Sequence, residues 1–147
     1  MKLLVLLIAL PLLAADPPAF GAWNQAALQT RVMAAKLDAH QVGLESMGNW
    51  GNHSLELVHR AGNGQAEVHS NRVDIITVLA GEGTLIIGGT MVEARTTGTG
   101  EIRGKSITGG TSHKMAPGDV FHIPAKLPHQ MLVPKSLVFQ VVKVTSR

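Results

Sequence analysis

The feature that most constrains the fold is a series of short apolar segments separated by glycine-containing turns. From about residue 44 onward, runs rich in Val, Ile, Leu and Thr alternate with turns such as Gly81-Glu82-Gly83 and Gly88-Gly89. These runs predict strands. They lie at residues 54–60, 66–69, 74–79, 84–87, 113–115, 120–123, 130–133 and 137–144. Eight or more strands in about 100 residues predict an all-β sandwich or barrel.

Two segments between these strands have the composition of turns and loops. Residues 61–64, Ala-Gly-Asn-Gly, lie between the first two predicted strands and predict a β-hairpin. Residues 96–110 are rich in Gly and Thr. They predict a long excursion between strands, in a position to cover the mouth of a barrel.

One helix is predicted ahead of the strands. Residues 23–38 contain neither Gly nor Pro, and Leu28, Val32 and Ala35 recur at spacings of four and three, as on one face of an α-helix. The apolar stripe is modest, so we expect a helix packed on the outside of the domain rather than a membrane-surface or partner helix. The predicted organisation is a short N-terminal helix at 22–40 and a β-barrel domain at 44–147.

The first fifteen residues have the features of a secretory signal peptide. Lys2 supplies a positive charge, and residues 3–13 form an apolar run that small residues follow. Such a run is too short for a bilayer span, which takes about 20 residues. Cleavage is expected after Ala15 or, with Ala19 at the −3 position, after Gly21; the alternative is a buried N-terminal helix. The predicted location is periplasmic or secreted, without a stable membrane anchor.

Composition narrows the chemistry. The chain of 147 residues has seven His, no Cys and a formal net charge of +3. Without Cys there are no disulfides, thiolate zinc sites, iron–sulfur clusters or cysteine nucleophiles, so metal or acid–base chemistry must use His and carboxylates. Lys and Arg are scattered singly and aromatic residues make up 3%, so no nucleic-acid partner is expected. Nucleophile-elbow, phosphate-loop and His-Glu-x-x-His motifs are also missing from the sequence.

Candidate ligands are concentrated in two segments. Glu67 and His69 project from the same face of a predicted strand, because strand side chains alternate, and Asp74 follows a four-residue bend. The second segment, residues 118–129, contains a strand, a Pro-bounded turn and His129 at the start of the next strand. From these places a β-barrel is able to gather carboxylate and imidazole groups at its mouth.

The first segment resembles one of the two motifs of the cupin superfamily, whose members are small jelly-roll β-barrels. That motif is Gly, five residues, His-x-His, three or four residues, Glu, six residues, Gly. His69 matches its second His, Asp74 stands in the Glu place, and Gly81 follows six residues later. Glu67 replaces the first His, and Ala61 replaces the opening Gly.

The second segment resembles the other cupin motif, which is Gly, five residues, Pro-x-Gly, two residues, His, three residues, Asn. Gly118, Pro124 and His129 are in register, whereas Lys126 replaces the Gly and Val133 replaces the Asn. Together the two motifs cover roughly residues 54–144, and the resemblance implies a cupin-type jelly-roll β-barrel.

Cupins commonly hold Fe, Mn, Ni, Zn or Cu through three His and one Glu. The resemblance therefore implies a divalent metal site of Glu67, His69, Asp74 and His129, in which two oxygen donors favour Mn, Fe or Zn over Cu(I). A lone inward carboxylate at Asp74 would be costly without a cation or a metal. For Glu67, a second interpretation stays open, in which it faces the mouth as an acid or base without touching the metal.

The leading functional hypothesis is a secreted or periplasmic single-domain cupin that binds a divalent metal and a small polar organic molecule. Its activity would be that of an oxidoreductase, isomerase or lyase, with Glu67 as the candidate catalytic base. The alternative is a non-catalytic small-molecule-binding module without metal. A barrel without any site would leave the inward carboxylates unexplained. Because cupins usually pair through sheet edges, the resemblance also implies a homodimer.

The remaining histidines carry less information. His122 faces opposite to its two apolar neighbours and has a secondary claim to a site role, whereas His59 is expected in the core or in a pocket wall. His53 and His113 are expected in solvent, and His40 is expected beside the C-terminus of the helix.

Overall fold

The computed structural model describes residues 19–146, and the predicted signal peptide at residues 1–15 lies outside this range. Within it there are one helix and thirteen strands. In chain order these are α1 (Gln25–Ala34), β1 (Val42–Asn49), β2 (His53–Arg60), β3 (Ala66–His69), β4 (Arg72–Gly81), β5 (Gly83–Ile87), β6 (Thr90–Val92), β7 (Arg95–Gly98), β8 (Glu101–Gly104), β9 (Ser106–Thr108), β10 (Thr111–Met115), β11 (Val120–Ile123), β12 (His129–Leu132) and β13 (Leu137–Thr145). No helix among the described residues is long and apolar enough to cross a membrane.

The strands form two main antiparallel sheets. The five-stranded sheet has the order β1-β2-β13-β4-β11, the six-stranded sheet has the order β10-β5-β12-β3-β8-β7, and β6 and β9 form a separate pair. Neighbours in these orders are mostly distant in sequence, as expected for a jelly roll and not for a meander. The prediction of an all-β jelly-roll fold with a short helix is confirmed.

Strand alternation separates the barrel interior from its outer face. On β4, Asp74, Ile76 and Val78 are buried while the residues between them are half-buried. The interior core takes side chains from both sheets, which packs the two sheets against each other. Its buried members are Val58, Ile76, Val78, Leu85, Met115, Ile123, Met131, Val133, Leu137, Phe139 and Val141.

The helix covers the outer face of the five-stranded sheet. Leu28 and Val32 pack against Leu57 and Val138 in a second apolar cluster. Asn24 caps the helix by accepting a hydrogen bond from the amide of Ala27 at 2.9 Å. The helix is shorter than the predicted span of residues 23–38, because the backbone turns extended at residue 35.

The predicted hairpin of residues 54–69 is wrong. Its first strand, β2, lies in the five-stranded sheet beside β1 and β13, whereas its second strand, β3, lies in the other sheet beside β12 and β8. The turn at residues 61–64 therefore connects the two sheets, and at its end Gly64 N–H donates to Met131 O of β12, in the six-stranded sheet, at 2.7 Å. Glycine and asparagine favour a tight turn, but they do not determine whether its two strands pair.

Two further regions are more ordered than the sequence indicates. β1 is not predicted, and it pairs with β2 along almost its whole length despite containing Gly43 and Gly48. The excursion at residues 96–110 contains most of β7 together with β8 and β9. β8 joins the six-stranded sheet beside β3, so part of this segment forms a wall of the barrel.

Candidate metal centre

A cavity of about 160 Å³ lies between the two sheets. Its floor is apolar, formed by side chains such as Val58, Ile76 and Phe139, and its other walls carry nearly all the buried charge of the barrel. The ionisable residues that line it are Glu56, Arg60, Glu67, His69, Asp74, Arg103, His129 and Lys143.

The six-stranded sheet brings three of the predicted ligands together. β3 and β12 are antiparallel neighbours, and His129 stands directly opposite Glu67 in the register. His69 follows two residues later on the same face of β3 as Glu67. One ligand atom from each of the three residues lies within 4.8 Å of the other two. Both imidazoles are buried, at 4% exposure for His69 and 3% for His129.

Asp74 approaches this group from the opposite sheet. Its Oδ2 atom lies 3.4 Å from His69 Nε2 and 4.0 Å from His129 Nε2. Its Oδ1 atom is buried and has no hydrogen-bond partner among the described residues. An unsatisfied buried carboxylate oxygen is costly, and it is the kind of atom that a cation satisfies. Asp74 therefore lies beside both imidazoles, whereas the group whose ligand atoms all lie within 4.8 Å of one another consists of Glu67, His69 and His129. The role of the four residues as ligands stays a prediction.

Outer hydrogen bonds orient both imidazoles toward Asp74. His129 Nδ1 lies 3.0 Å from Leu127 O, which only accepts, so Nδ1 carries the proton and donates it. His69 Nδ1 lies 2.8 Å from Glu101 Oε2 in the same manner. A ring nitrogen bound to a carbonyl or carboxylate in this way leaves Nε2 as the metal-binding atom, as in most protein metal sites.

The electrostatics distinguish the two histidines. Burial works against a charged His69, but the hydrogen bond and charge of Asp74 and the charge of Glu101 outweigh it and raise its pKa. Burial lowers the pKa of His129, and the nearby charges of His69 and Arg103 act in the same direction. Burial works to raise the pKa of Asp74, yet the hydrogen bond and charge of His69, with the charge of His129, bring it below its ordinary value. Asp74 is thus a buried anion beside a neutral His129.

Glu67 differs from the other three because two arginines contact it. Its Oε2 atom forms a direct ion pair with Arg103 Nη1, and its Oε1 atom lies 3.6 Å from Arg60 Nη2. The same Oε2 atom lies 3.6 Å from His69 Nε2. Glu67 therefore stands between the imidazoles and the arginines. A guanidinium partner occupies the oxygen that a metal or a substrate proton would need.

Three charged residues that contact the predicted ligands were not predicted from the sequence, namely Arg60, Glu101 and Arg103. Glu101 and Arg103 lie on β8, in the excursion, directly opposite His69 and Glu67 in the register. Glu101 also forms an ion pair with Arg72 and accepts from Arg103 Nη2 at 3.4 Å. In the sequence, opposite charges stand two residues apart at Glu101 and Arg103 and four apart at Glu56 and Arg60. Such spacing places each pair on one face of its strand. Whether that face meets the candidate ligands depends on which strands are neighbours in the sheet.

Two departures from the cupin motifs have local structural consequences. Lys126, in the place of a family Gly, has a φ of 68°, a left-handed conformation that glycine adopts without strain. Its backbone N–H donates to His69 O at 2.7 Å, which ties the turn to the strand that carries two candidate ligands. Val133, in the place of the Asn, donates its N–H to Asn63 Oδ1 at 2.8 Å.

The other histidines lie away from the centre. His122 and His113 are exposed. His59 is half-buried on the face opposite the cavity and contacts Ser136 Oγ at 3.1 Å, so it is satisfied and does not line the pocket. His53 is half-buried and stacks on Trp50 with ring centroids 5.2 Å apart. His40 is exposed beyond the end of the helix.

Solved structures similar to this chain include several cupins. The Cnp3 cupin domain of Schizosaccharomyces pombe has a TM-score of 0.56 and 10% identity, over 78% of this chain and 67% of that chain. Rru_A2000 of Rhodospirillum rubrum, a cupin-2 domain, has a TM-score of 0.53 and 19% identity, over 74% and 62%. The DMSP lyase DddQ of Ruegeria pomeroyi has a TM-score of 0.52 and 16% identity, over 77% and 53%.

Comparison with protein-family models and with curated proteins finds no match. The structural likeness nevertheless agrees with the fold that the two sequence motifs imply. The resemblance inferred from the sequence is confirmed at the level of the fold, and this chain folds as a cupin.

Proposed function

We propose that this protein is a divalent-metal-binding cupin, with His69, His129 and Asp74 as ligands and Glu67 as the fourth. A small polar organic molecule would bind beside the metal in the cavity. The observation that carries the proposal is the buried Asp74 Oδ1 atom, which has no partner among the described residues while Oδ2 faces two imidazole Nε2 atoms. Mn, Fe and Zn suit this mixture of nitrogen and oxygen donors.

The charge balance of the cluster supports a cation at this point. Two carboxylates and two imidazoles converge there, and the field of Asp74 and Glu101 is strong enough to raise the pKa of His69 despite its burial. Asp74 itself remains ionised. A buried site that attracts positive charge in this way also attracts a divalent metal, which satisfies several lone pairs at once.

A metal bound there would supply Lewis-acid chemistry or an oxygen-binding centre. The chain's own residues would do the rest. Glu101 and Leu127 O hold the two imidazoles in position, and the apolar floor excludes water from the bound molecule. Glu67 becomes available as a ligand or a base only when Arg103 releases it. We propose a lyase, isomerase or oxidoreductase activity; the DMSP lyase of similar fold supports the first of these.

We also propose that the protein is exported to the periplasm or secreted, and that it acts as a homodimer. Export is supported by the charged start and the apolar run at residues 3–13. Pairing through sheet edges is supported by the exposed Leu44 on the edge strand β1, which is 52% exposed.

Metal content measured on protein purified without chelators tests the central claim. We expect about one equivalent of Mn, Fe or Zn in the wild type and a loss of metal in His69→Ala and His129→Ala. His113→Ala, on the exposed surface of β10, is the matched control and should keep the metal. Wild-type protein that neither retains metal nor binds added Mn²⁺, Fe²⁺ or Zn²⁺ by calorimetry would overturn the proposal.

The same experiment separates the roles of the two carboxylates. Metal retained by Glu67→Gln but lost by Asp74→Asn would make Glu67 a base outside the ligand set. Loss in both variants would make both carboxylates ligands.

A second candidate function is a metal-free binding module. One observation favours it, namely that the ion pair between Glu67 and Arg103 already neutralises one of the four ligands. This function predicts wild-type protein that binds a small organic ligand with no bound metal and with no effect of added metal.

A further inference from the structure

Two cavities of the molecule meet at one group of charged residues. The inner cavity of about 160 Å³ and a neighbouring cleft of about 310 Å³ share Val42, Arg60, Glu67 and Arg103 in their walls. The cleft is otherwise lined by polar residues, which are Asp38, His40, Asn63 and Gln65. Any molecule that spans both spaces must pass the two arginines.

These two arginines share one carboxylate in the wall between the cavities. The Arg60 side chain is 14% exposed, and its Nη2 atom lies 3.6 Å from Glu67 Oε1. Its Nε atom is buried without a hydrogen-bond partner in the described part of the chain. Lys143, the third cation of the inner cavity, is matched by Glu56 at 2.6 Å. Arg103 Nη2 also contacts Glu101 Oε2 at 3.4 Å, and Asp38 lines the cleft together with Arg60. In the wall that the two cavities share, Glu67 is the one carboxylate among the described residues, and it contacts both guanidinium groups.

The two arginines also lie close enough to affect each other electrostatically. Burial lowers the pKa of both side chains, and the charge of Arg60 lowers the pKa of Arg103 further. A guanidinium nevertheless stays protonated in proteins. A paired arrangement of two planar, multidentate donors is suited to binding a carboxylate with several hydrogen bonds.

We propose that Arg60 and Arg103 bind the carboxylate of a small organic acid, and that Glu67 occupies their binding site until a metal ion draws it toward the imidazoles. The exchange rests on the proposed metal function; the anion site itself does not. Its structural basis is the Oε2 atom of Glu67, which pairs with Arg103 on one side and lies 3.6 Å from His69 Nε2 on the other. This oxygen has two alternative partners.

The inner cavity limits the size and polarity of the acid. A dry cavity of about 150 Å³ in another protein is enough to hold benzene, so a body of about four to seven non-hydrogen atoms fits here. Val58, Ile76 and Phe139 form an apolar floor that matches a short hydrocarbon chain. A second carboxylate at that depth would approach Glu56 and Asp74. The expected ligand is thus a short-chain monocarboxylate.

The exchange makes metal and acid binding cooperative. A metal that engages Glu67 removes the carboxylate that both guanidinium groups share and leaves Arg103 with its contact to Glu101 alone. A bound carboxylate takes the place of Glu67. By linkage, the acid must then raise the affinity for the metal by the same factor. An acid that binds only through contacts with the apolar floor would show no such coupling.

Calorimetry with butyrate as the probe, and with butyramide as the neutral probe of the same shape, tests the proposal. We expect butyrate to bind Glu67→Gln at least about tenfold more tightly than metal-free wild type, because one competing charge-assisted hydrogen bond is removed. Saturating Mn²⁺ should produce a similar gain in the wild type and none in Glu67→Gln. Butyramide affinity should not change in either comparison.

Arginine variants complete the test. Arg103→Gln in the Glu67→Gln background should abolish the gain, and Arg103→Lys, which keeps the charge but not the fork, should keep only part of it. Arg95→Gln, on the exposed strand β7, is the matched control and should keep all of it. The lysine variant keeps the test valid if Arg103→Gln does not fold.

The outcomes separate the two proposals. A gain in Glu67→Gln without any Mn²⁺ binding in the wild type would support the anion site and overturn the metal function. Mn²⁺ binding with equal butyrate affinity in wild type and Glu67→Gln would support the metal function and overturn the anion site. Equal gains for butyrate and butyramide would also overturn the anion site.

Discussion

The two halves of the barrel interior have opposite chemistry although they share strands. Between β5, β10 and β11 the interior is formed by side chains such as Leu85, Met115 and Ile123, all at most 2% exposed. Between β2, β3 and β8 it is formed by charged groups, including Arg60, Glu67 and Arg103. The shared strand β4 changes along one face from Asp74 to apolar residues.

The difference indicates where the stability resides. Apolar burial contributes roughly 25 cal/mol per Å² of surface removed from water, whereas buried ion pairs gain little after desolvation. The apolar half therefore stabilises a barrel in which the charged half is free to keep unsatisfied groups such as Asp74 Oδ1. Variants in the two halves should behave accordingly.

The largest effect is expected in the apolar half. Leu137→Ala removes a fully buried side chain and should lower the free energy of unfolding by about 3–5 kcal/mol, through lost apolar burial and an unfilled cavity. Urea denaturation of the metal-free protein measures this change. A loss below about 1 kcal/mol would show that the apolar half does not dominate the stability, and would contradict the comparison.

A metal ion should stabilise the protein through the charged half alone. At a free Mn²⁺ concentration of 100 times the dissociation constant, the free energy of unfolding should rise by about 2.7 kcal/mol. Leu137→Ala should show the same increment, because Leu137 lies six residues along β13 from Lys143, the strand partner of Asp74, and His69→Ala should show none. Denaturation with and without Mn²⁺ measures the increments, and an equal increment in His69→Ala would place the metal elsewhere.

The ion pair of Glu67 and Arg103 should couple more strongly than a surface pair. Their side chains are 13% and 29% exposed, and a double-mutant cycle with Glu67→Gln and Arg103→Gln should give a coupling energy of about 1–3 kcal/mol. Arg31 and Glu45, at 44% and 35% exposure, are the matched pair and should give less than about 1 kcal/mol. Equal coupling energies would mean that solvent screens the charges inside the barrel as strongly as those on its surface.

The sequence predicts best those strands that have one face packed in the interior. Alternation locates β2, β3 and β11 almost to the residue, because each strand has one face in contact with packed side chains. β1 escapes the pattern, since Gly43 and Gly48 interrupt it and Leu44 remains 52% exposed. The hairpin prediction fails for a different reason: turn chemistry is local, and sheet membership is not.

Some residues of the candidate site can be predicted from the sequence and others cannot. His69, Asp74 and His129 stand in motif register, so their convergence is expected once the fold is a cupin. Arg60 and Arg103 belong to no motif, and each lies on a half-buried strand that carries one acidic residue as well. Their juxtaposition with Glu67 depends on β8 lying beside β3, which is a property of the register and not of either local sequence.

The smallest expected effect concerns the turn that connects the two halves. Lys126 has a φ of 68° and donates its N–H to His69 O. Lys126→Gly should remove left-handed strain of about 1–2 kcal/mol and add about 0.5–1 kcal/mol of unfolded-state entropy, for a net gain near 0.5 kcal/mol in the free energy of unfolding. Urea denaturation of the metal-free variant measures it.

Gly118→Ala is the matched inverse of this change. Gly118 has a φ of 93°, and a Cβ atom added there would meet no atom within 4 Å. Gly118→Ala should therefore lower the free energy of unfolding through backbone conformation alone, by about 0.5–1 kcal/mol. Opposite signs for the two variants would show that both left-handed positions favour glycine and that Lys126 is tolerated at a cost in stability. A loss of stability in Lys126→Gly would instead show that the lysine side chain itself stabilises the turn beside the candidate ligands.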